Sequence, residues 1–241
     1  MLTIDDVDAV VFDILGTLVD HDGGLRAAIT GLTGGAGDPD DLLARWHRHV
    51  AGEHARVVSG ERPYATADVL DREAAEAVVA HAGGPAPTED ALVAAAHVMR
   101  GLHAWPDTVA LLDALAARVA VIGLSNADRT TLLRMNAHAG LRWHAALSTE
   151  TVASYKPDPA VYRLAIAHAG RPPERVLMVA AHAWDLRGAA AAGLRTAYLD
   201  RPGADPPAPG DRFDHRAGSA AELLALLGVT PERDQAGTRA V

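Results

Sequence analysis

The chain has 241 residues, a formal net charge of −9, no cysteine, and hydrophobic residues at 49% of its positions. This length indicates one large domain, or one domain with a smaller insert. The acidic balance without a basic cluster argues against a nucleic-acid partner, and the lack of cysteine excludes thiol catalysis, disulfides and thiolate-bound metals. Because neither a membrane span nor a secretory signal is visible, we expect a soluble cytoplasmic protein without a membrane partner.

The first predicted element is a short apolar strand, Ala9–Phe12. Residues 21–100 then show no convincing strand. Their apolar periodicity predicts three helices, Leu42–Val58, Ala67–Ala82 and Thr88–Leu102. We interpret this region as a helical cap inserted after the first strand, where it would cover one edge of a sheet.

Strands and helices alternate after the insert. The predicted strands are Val119–Leu124, Val176–Ala180, Thr196–Leu199 and a weaker one, Ala145–Ser148. The predicted helices are Pro106–Ala117, Thr130–Ala139, Pro159 to the residue before Gly170, and Asp185–Ala192. This order is typical of the α/β class, with an open, doubly wound parallel sheet in a Rossmann-like core. We therefore assign residues 1–20 and 101–228 to the core domain, 21–100 to the cap and 229–241 to a flexible tail.

Polar side chains follow four of these strands. They are Asp13, Thr17, Ser125, Asn126, Lys156 and Asp185. Each has a structural explanation when taken singly, as a turn residue, a helix cap or a solvated charge. However, ligands of open α/β sheets bind at the carboxyl ends of the strands. Their common location therefore favours a functional site.

The residue types suggest an aspartate nucleophile. Asp13 must be ionised to attack, and Lys156, which is the only lysine in the chain, could keep it so. At about 4 Å and an effective dielectric of about 20, such a pair is worth about 4 kcal/mol. Asp185 could orient Lys156, or it could activate a water that cleaves a covalent ester.

Hydroxyl and amide groups complete the predicted catalytic set. The hydroxyls of Thr17 and Ser125 can donate hydrogen bonds that aim the carboxylate. The Asn126 amide can donate to a leaving group or to a substrate oxygen.

The four motifs resemble those of the haloacid dehalogenase superfamily in order and spacing. They are Asp13 through Thr17, Ser125-Asn126, Lys156-Pro157-Asp158 and Trp184-Asp185. The resemblance covers residues 8–200, with the insert where that superfamily carries a helical cap. It implies a Rossmann-like fold and an aspartyl nucleophile.

Local residues resemble the 2-haloacid dehalogenase (type II) branch more than the phosphatases of the superfamily. The phosphatases carry an acid two residues after the nucleophile and another after the fourth strand, where this chain has Leu15 and Ala181. The stretches Ala183-Trp184-Asp185 and Tyr155-Lys156-Pro157-Asp158 resemble the dehalogenase branch. The resemblance implies substrate-binding roles for Asn126, Tyr162 and Trp184. We expect Leu15 and His182, which stand where members of the branch carry other residues, to bind substrate as well.

That branch also places a Trp-Arg pair in the cap, and its local counterpart here is Trp46-His47, flanked by Arg45 and Arg48. Because these arginines lie three residues apart on a predicted helix, they share a face. We expect one of them, preferably Arg48, to point at the sheet edge and bind substrate. The remaining histidines lack ligand spacing and are interpreted as surface or core residues.

The leading hypothesis is a metal-independent hydrolase that removes halide from short 2-halocarboxylic acids, without a cofactor or a bound metal. A small anionic substrate is the expected partner, and a homodimer is one candidate assembly. A magnesium-dependent phosphatase of the same superfamily and a repurposed non-catalytic member are the alternatives.

Overall fold

A six-stranded parallel sheet forms the centre of the molecule. The computed structural model describes residues 2–84 and 86–230. The strands are Ala9–Asp13 (β1), Ala120–Ser125 (β2), Ala145–Ser148 (β3), Val176–Ala180 (β4), Arg195–Leu199 (β5) and His215–Ala217 (β6). Their order is β3-β2-β1-β4-β5-β6, and every neighbouring pair is parallel. The predicted α/β fold with a doubly wound sheet is confirmed.

Helices cover the sheet and fill the insert. They are His21–Thr33 (α1), Pro39–Val58 (α2), Ala67–Ala82 (α3), Glu89–Ala96 (α4), Thr108–Ala116 (α5), Arg129–Ala139 (α6), Pro159–Ala169 (α7), Ala183–Ala191 (α8) and Ala220–Leu226 (α9). All residues of β1 and β4 are buried, as expected for parallel strands with helices on both faces. Each of the five predicted strands is confirmed to within one residue at either end.

The short edge strand β6 and the helices α1 and α9 were not predicted. In β6, His215 and Arg216 break the apolar run that identifies the other strands. In α1, Gly23, Gly24 and Gly31 lower the helix propensity. A Cβ at Gly24 would lie 2.1 Å from the Cδ2 atom of Leu102, so the Leu102 side chain packs directly against this glycine.

The third predicted helix of the insert, Thr88–Leu102, is not continuous. The helix α4 ends at Ala96, where His97 leaves helical geometry with φ −104° and ψ 11°, and a 3₁₀ turn follows at Val98–Gly101. This break places Met99 in the core. No helix in residues 2–84 and 86–230 combines the length and the apolarity needed to cross a bilayer.

The predicted tail begins too early at residue 229. Val229 is 5% exposed and packs in the core beside α9, and its N–H donates to Leu224 O at 2.8 Å. Its apolar side chain therefore continues the packing of α9. Residues 231–241 of that prediction lie outside the described residues.

Candidate active site

Asp13 is the last residue of β1, at the point where the sheet reverses its direction of winding. From β1 the chain runs to β2 and β3 on one side, and β4 then pairs with the other side of β1. Such a topological switch point leaves a crevice at the carboxyl ends of the strands. The Asp13 side chain is only 9% exposed, so its charge depends on the groups around it.

Thr17 fixes one oxygen of this carboxylate. The tight turn after β1 uses Gly16 at φ 79°, a conformation that favours glycine. The turn brings Thr17 back to Asp13, and the Thr17 hydroxyl donates to Asp13 Oδ2 at 2.6 Å. The same hydroxyl accepts the N–H of Ala181 at 2.9 Å. The turn is thereby tied to the segment after β4.

Lys156 bridges two buried carboxylates. Its Nζ donates to Asp13 Oδ1 at 2.9 Å and to Asp185 Oδ2 at 2.7 Å, and the Lys156 side chain is 1% exposed. The Lys156 N–H donates to Asn126 Oδ1 at 3.0 Å. One ammonium thus neutralises part of the charge of two acids, and the loop after β2 holds its backbone.

Asp185 is held behind Lys156. It lies in the first turn of α8 and is fully buried, with Oδ1 accepting from the Tyr162 hydroxyl at 2.7 Å. Gly188 makes room for Tyr162, because a Cβ at that glycine would lie 2.4 Å from the tyrosine oxygen. The expected place of Tyr162 in the substrate pocket is therefore wrong: its hydroxyl is directed at Asp185, and α7 packs it into the core.

The charges of this trio follow from burial and pairing. Burial alone would raise the pKa of Asp13, but the Lys156 ammonium, the nearby His182 and two hydrogen bonds outweigh it and hold that pKa below its usual range. Burial raises the pKa of Asp185, against the opposing effect of Lys156. Although burial opposes the charge on Lys156, the two carboxylates raise its pKa above the ordinary value. Asp13 is therefore the carboxylate best suited to react while ionised.

Ser125 and Asn126 lie at the end of β2. The Ser125 hydroxyl is buried and accepts the Ala127 N–H at 3.1 Å. A hydrogen bond from Ser125 to Asp13 is not found within residues 2–84 and 86–230, so its predicted role in aiming the nucleophile stays a prediction. Asn126 lines a cavity between the sheet edge and the insert.

A cavity of about 360 Å³ separates the sheet edge from the insert. From the sheet edge it is lined by Asp13, Leu15, Asn126, Lys156, His182 and Trp184. From the insert it is lined by His21, Asp22, His47, His54, Asp71 and Met99. Lys156 is the only lysine or arginine among the described lining residues. The opposite wall instead carries histidines.

The prediction that Arg45 or Arg48 points at the sheet edge is wrong. Arg48 is 62% exposed on its side chain, and its guanidinium lies 3.8 Å from Asp41. Arg45 contacts His81 at 3.4 Å. Trp46 between them is buried in the core of the insert, so both arginines flank a face that turns away from the cavity.

The face of α2 that meets the cavity carries His47 and His54 instead. The spacing 47, 50, 51, 54 is a helical repeat, and this signal in the sequence could have identified the face. Burial lowers the pKa of His54 to about 4, and burial together with His47 lowers the pKa of His21 to about 3. Both imidazoles are therefore neutral at pH 7.

Leu15, His182 and Trp184 lie at the cavity, as expected. His182 Nε2 lies 3.1 Å from Leu15 O, and its ring stacks on Trp184 with centroids 5.9 Å apart. A Cβ at Gly16 would lie 2.9 Å from the same His182 nitrogen. The turn after β1 and the start of α8 therefore pack closely around this histidine.

Asp71 is a buried acid of the insert that lines the cavity. Trp46 Nε1 donates to its Oδ1 at 3.2 Å, and burial raises its pKa to about 8. In the unfolded chain an aspartate has a pKa of about 4. At pH values between these two pKa values, Asp71 has lost its proton in the unfolded chain but keeps it in the folded protein. This group therefore lowers the free energy of unfolding by about 1.4 kcal/mol for each unit of rising pH.

Replacing Asp71 with Asn is expected to remove this pH dependence while keeping the acceptor for Trp46. The melting temperature of Asp71→Asn should rise relative to wild type as the pH increases from about 4 to 8. Thermal melts across that range measure it. The matched control is Asp68→Asn on the same helix, where the aspartate side chain is 32% exposed. A difference between Asp71→Asn and wild type that does not change with pH would contradict this assignment.

Known proteins are similar to this chain in both sequence and fold. (S)-2-haloacid dehalogenase 1 of Pseudomonas sp. (strain CBS-3) is 30% identical over 204 residues, covering 82% of this chain and 86% of that protein. The crystal structure of a defluorinating L-2-haloacid dehalogenase matches with a TM-score of 0.82 and 31% identity, over 92% of this chain and 96% of that one.

A phosphatase is also similar. Phosphoglycolate phosphatase 1 of Pseudomonas aeruginosa is 31% identical over 199 residues, covering 79% of this chain and 68% of that protein. The family model of the haloacid dehalogenase-like hydrolases matches residues 7–193 of this chain. Because this match includes β1 through α8, with all the residues of the Asp13–Lys156–Asp185 trio, the chain belongs to the haloacid dehalogenase-like hydrolase family.

Proposed function

We propose that this protein is a hydrolase that removes halide from short 2-halocarboxylic acids, without a metal, through an ester on Asp13. The observation that carries the proposal is the Asp13 carboxylate at the cavity, with one oxygen bound by Thr17 and the other by Lys156. Its charge and its position are thus set before a substrate enters. The dehalogenases that share the fold support the choice of carbon–halogen bonds.

The first step is a displacement at carbon. An oxygen of Asp13 forms a bond to the carbon that bears the halogen, and the carbon–halogen bond breaks with inversion. The electron pair of that bond leaves with the halide. Lys156 keeps Asp13 ionised for this attack, in which the carboxylate is the nucleophile.

The second step is hydrolysis of the ester. Water attacks the Asp13 carbonyl carbon, and the ester bond between that carbon and the oxygen bound to the substrate breaks. The 2-hydroxy acid leaves, a proton is released, and the Asp13 carboxylate is restored. Asp185 is fully buried and accepts from both Lys156 and Tyr162. This arrangement favours orientation of Lys156 over direct activation of the water.

The residues present do not suit the magnesium ion of the phosphatase alternative. Magnesium prefers several carboxylate and other hard oxygen ligands. Leu15 and Ala181 stand where the phosphatases carry two of their acids, and the oxygens of Asp185 are already bound by Lys156 and Tyr162. Leu15 cannot donate a proton, so the acid that would protonate the leaving group of a phosphate ester is also missing. Phosphoryl transfer is therefore the second candidate, supported by the phosphatase relative.

We further propose that residues 21–100 act as the cap that limits the size of the substrate. Their helices supply one wall of a cavity of about 360 Å³, which suits a small acid. The cytoplasmic location and the homodimer remain predictions. A repurposed, non-catalytic role is opposed by the intact set of Asp13, Lys156 and Asp185.

Halide release distinguishes these alternatives. The purified full chain is treated with a chelator and assayed with chloro-, bromo- and fluoro-substituted 2-halocarboxylic acids, beside a panel of phosphate esters. We expect halide release that chelation does not lower and that added magnesium does not raise. Asp13→Asn is the negative control. Phosphate release that requires magnesium would favour the phosphatase, and silence on both panels would favour the non-catalytic role.

A further inference from the structure

We propose that His21, Asp22 and His47 bind a divalent transition-metal ion such as Zn²⁺ on the insert side of the cavity. One ligand atom from each of these residues lies within 4.8 Å of the others. Ligand atoms about 2.0–2.1 Å from a tetrahedral zinc ion are about 3.3 Å apart. Small side-chain movements would therefore bring the three atoms around one ion.

Two helices bring the three ligands together. His21 and Asp22 are the first two residues of α1, and His47 lies on the cavity face of α2. His47 Nε2 already lies 2.9 Å from Asp22 Oδ1. The rings of His21 and His47 meet edge to face, with centroids 5.5 Å apart. The sequence does not reveal this cluster, because His21 and His47 are 26 positions apart and lie on different helices.

An unpartnered nitrogen points to a ligand that the protein itself does not supply. His21 Nε2 is buried and has no hydrogen-bond partner in residues 2–84 and 86–230. A buried polar atom without a partner costs free energy. A metal ion would satisfy this lone pair together with the Asp22 carboxylate and the His47 imidazole.

The donor set selects the class of metal. Two imidazole nitrogens and one carboxylate oxygen suit Zn²⁺, Co²⁺ or Ni²⁺ better than Mg²⁺ or Ca²⁺, which prefer oxygen ligands. Three protein ligands leave at least one coordination position for water or for an anion in the cavity. Gly203 packs tightly against the site, because a Cβ there would lie 2.6 Å from Asp22 Oδ2.

The proposed reaction at Asp13 makes no use of this site, whose residues line the insert side of the cavity. The inference does not depend on the proposed function, since metal binding can be measured without turnover. The Asp13→Asn variant, which should be inactive, is expected to bind Zn²⁺ within about threefold of wild type. Dehalogenation and metal binding can therefore fail independently.

Titration of the metal-free full chain with Zn²⁺, followed by calorimetry, tests the proposal. We expect one ion per chain with Kd in about the micromolar range. Asp22→Asn and His47→Gln, which both retain hydrogen-bonding groups, should each weaken binding at least about tenfold. The matched control is His49→Gln on the same helix, where the histidine lies 3.5 Å from Glu73 instead. That variant should bind as wild type.

Cobalt provides a second measurement that is independent of affinity. The visible absorption of bound Co²⁺ should report nitrogen ligands in wild type and should change in His47→Gln but not in His49→Gln. Three results would overturn the site: no binding up to about millimolar Zn²⁺, binding that survives both Asp22→Asn and His47→Gln, or binding that is lost in His49→Gln.

Discussion

Replacing Asp13 with Asn is expected to lower halide release by at least about 10⁴-fold, about 5.4 kcal/mol in the activation barrier. The amide is a poor nucleophile and cannot form the ester, although it has nearly the shape of the carboxylate. Thr17 and Lys156 bind the carboxylate of Asp13 in the folded protein. Steady-state halide release with the best substrate of the panel measures the loss.

The control for this variant must separate loss of the nucleophile from loss of the fold. Asp8→Asn serves this purpose, since Asp8 precedes the same strand at its opposite end and pairs with Arg175 at 2.6 Å. Its activity should remain near wild type. Circular dichroism and thermal melting should show that Asp13→Asn is folded. Substantial turnover by folded Asp13→Asn would show that another group forms the bond to carbon.

Replacing Lys156 with Met is expected to lower the rate by at least about a hundredfold, about 2.7 kcal/mol in the barrier. The substitution leaves Asp13 and Asp185 buried without their shared ammonium. Burial and mutual repulsion then raise the pKa of the nucleophile. A smaller fraction of Asp13 is ionised at neutral pH, so the residual rate should increase with pH over a range where the wild-type rate is flat.

The pH–rate profile makes this result specific. A purely structural defect would lower the rate at every pH, whereas loss of the ammonium moves the profile to higher pH. Arg48→Ala is the matched control, because it removes a cation that is 62% exposed and lies outside the cavity. Near-wild-type rates in Lys156→Met, or an unshifted profile, would contradict the role of Lys156.

The sequence was sufficient to locate the edge of the sheet that carries the candidate site. Asp13 and Asn126 each follow a strand that is apolar enough to be recognised as buried, whereas Lys156 follows the weaker strand Ala145–Ser148. The topology of parallel strands brings the ends of all three together. These residues could be placed because the strand pattern is local. Lys156 could be predicted as the cationic partner of Asp13 because it is the only lysine in the chain.

The insert was harder to predict because its arrangement depends on packing between helices. The helix α2 was predicted, but its orientation was not, so Arg48 was expected at the cavity where His47 lies. Tyr162 was assigned to the pocket from resemblance, whereas its buried hydroxyl donates to Asp185. The cluster of His21 with His47 required the three-dimensional contact of α1 with α2.

The most direct test of the ester mechanism follows the oxygen of water through one turnover. Enzyme in excess over substrate reacts in oxygen-18 water, and mass spectrometry examines both the peptide that contains Asp13 and the hydroxy acid. We predict that label enters the Asp13 carboxylate in the first turnover, while the new hydroxyl of the product carries unlabelled oxygen from Asp13. Label found directly in the product hydroxyl, with none in Asp13, would contradict the covalent ester and with it the proposed mechanism.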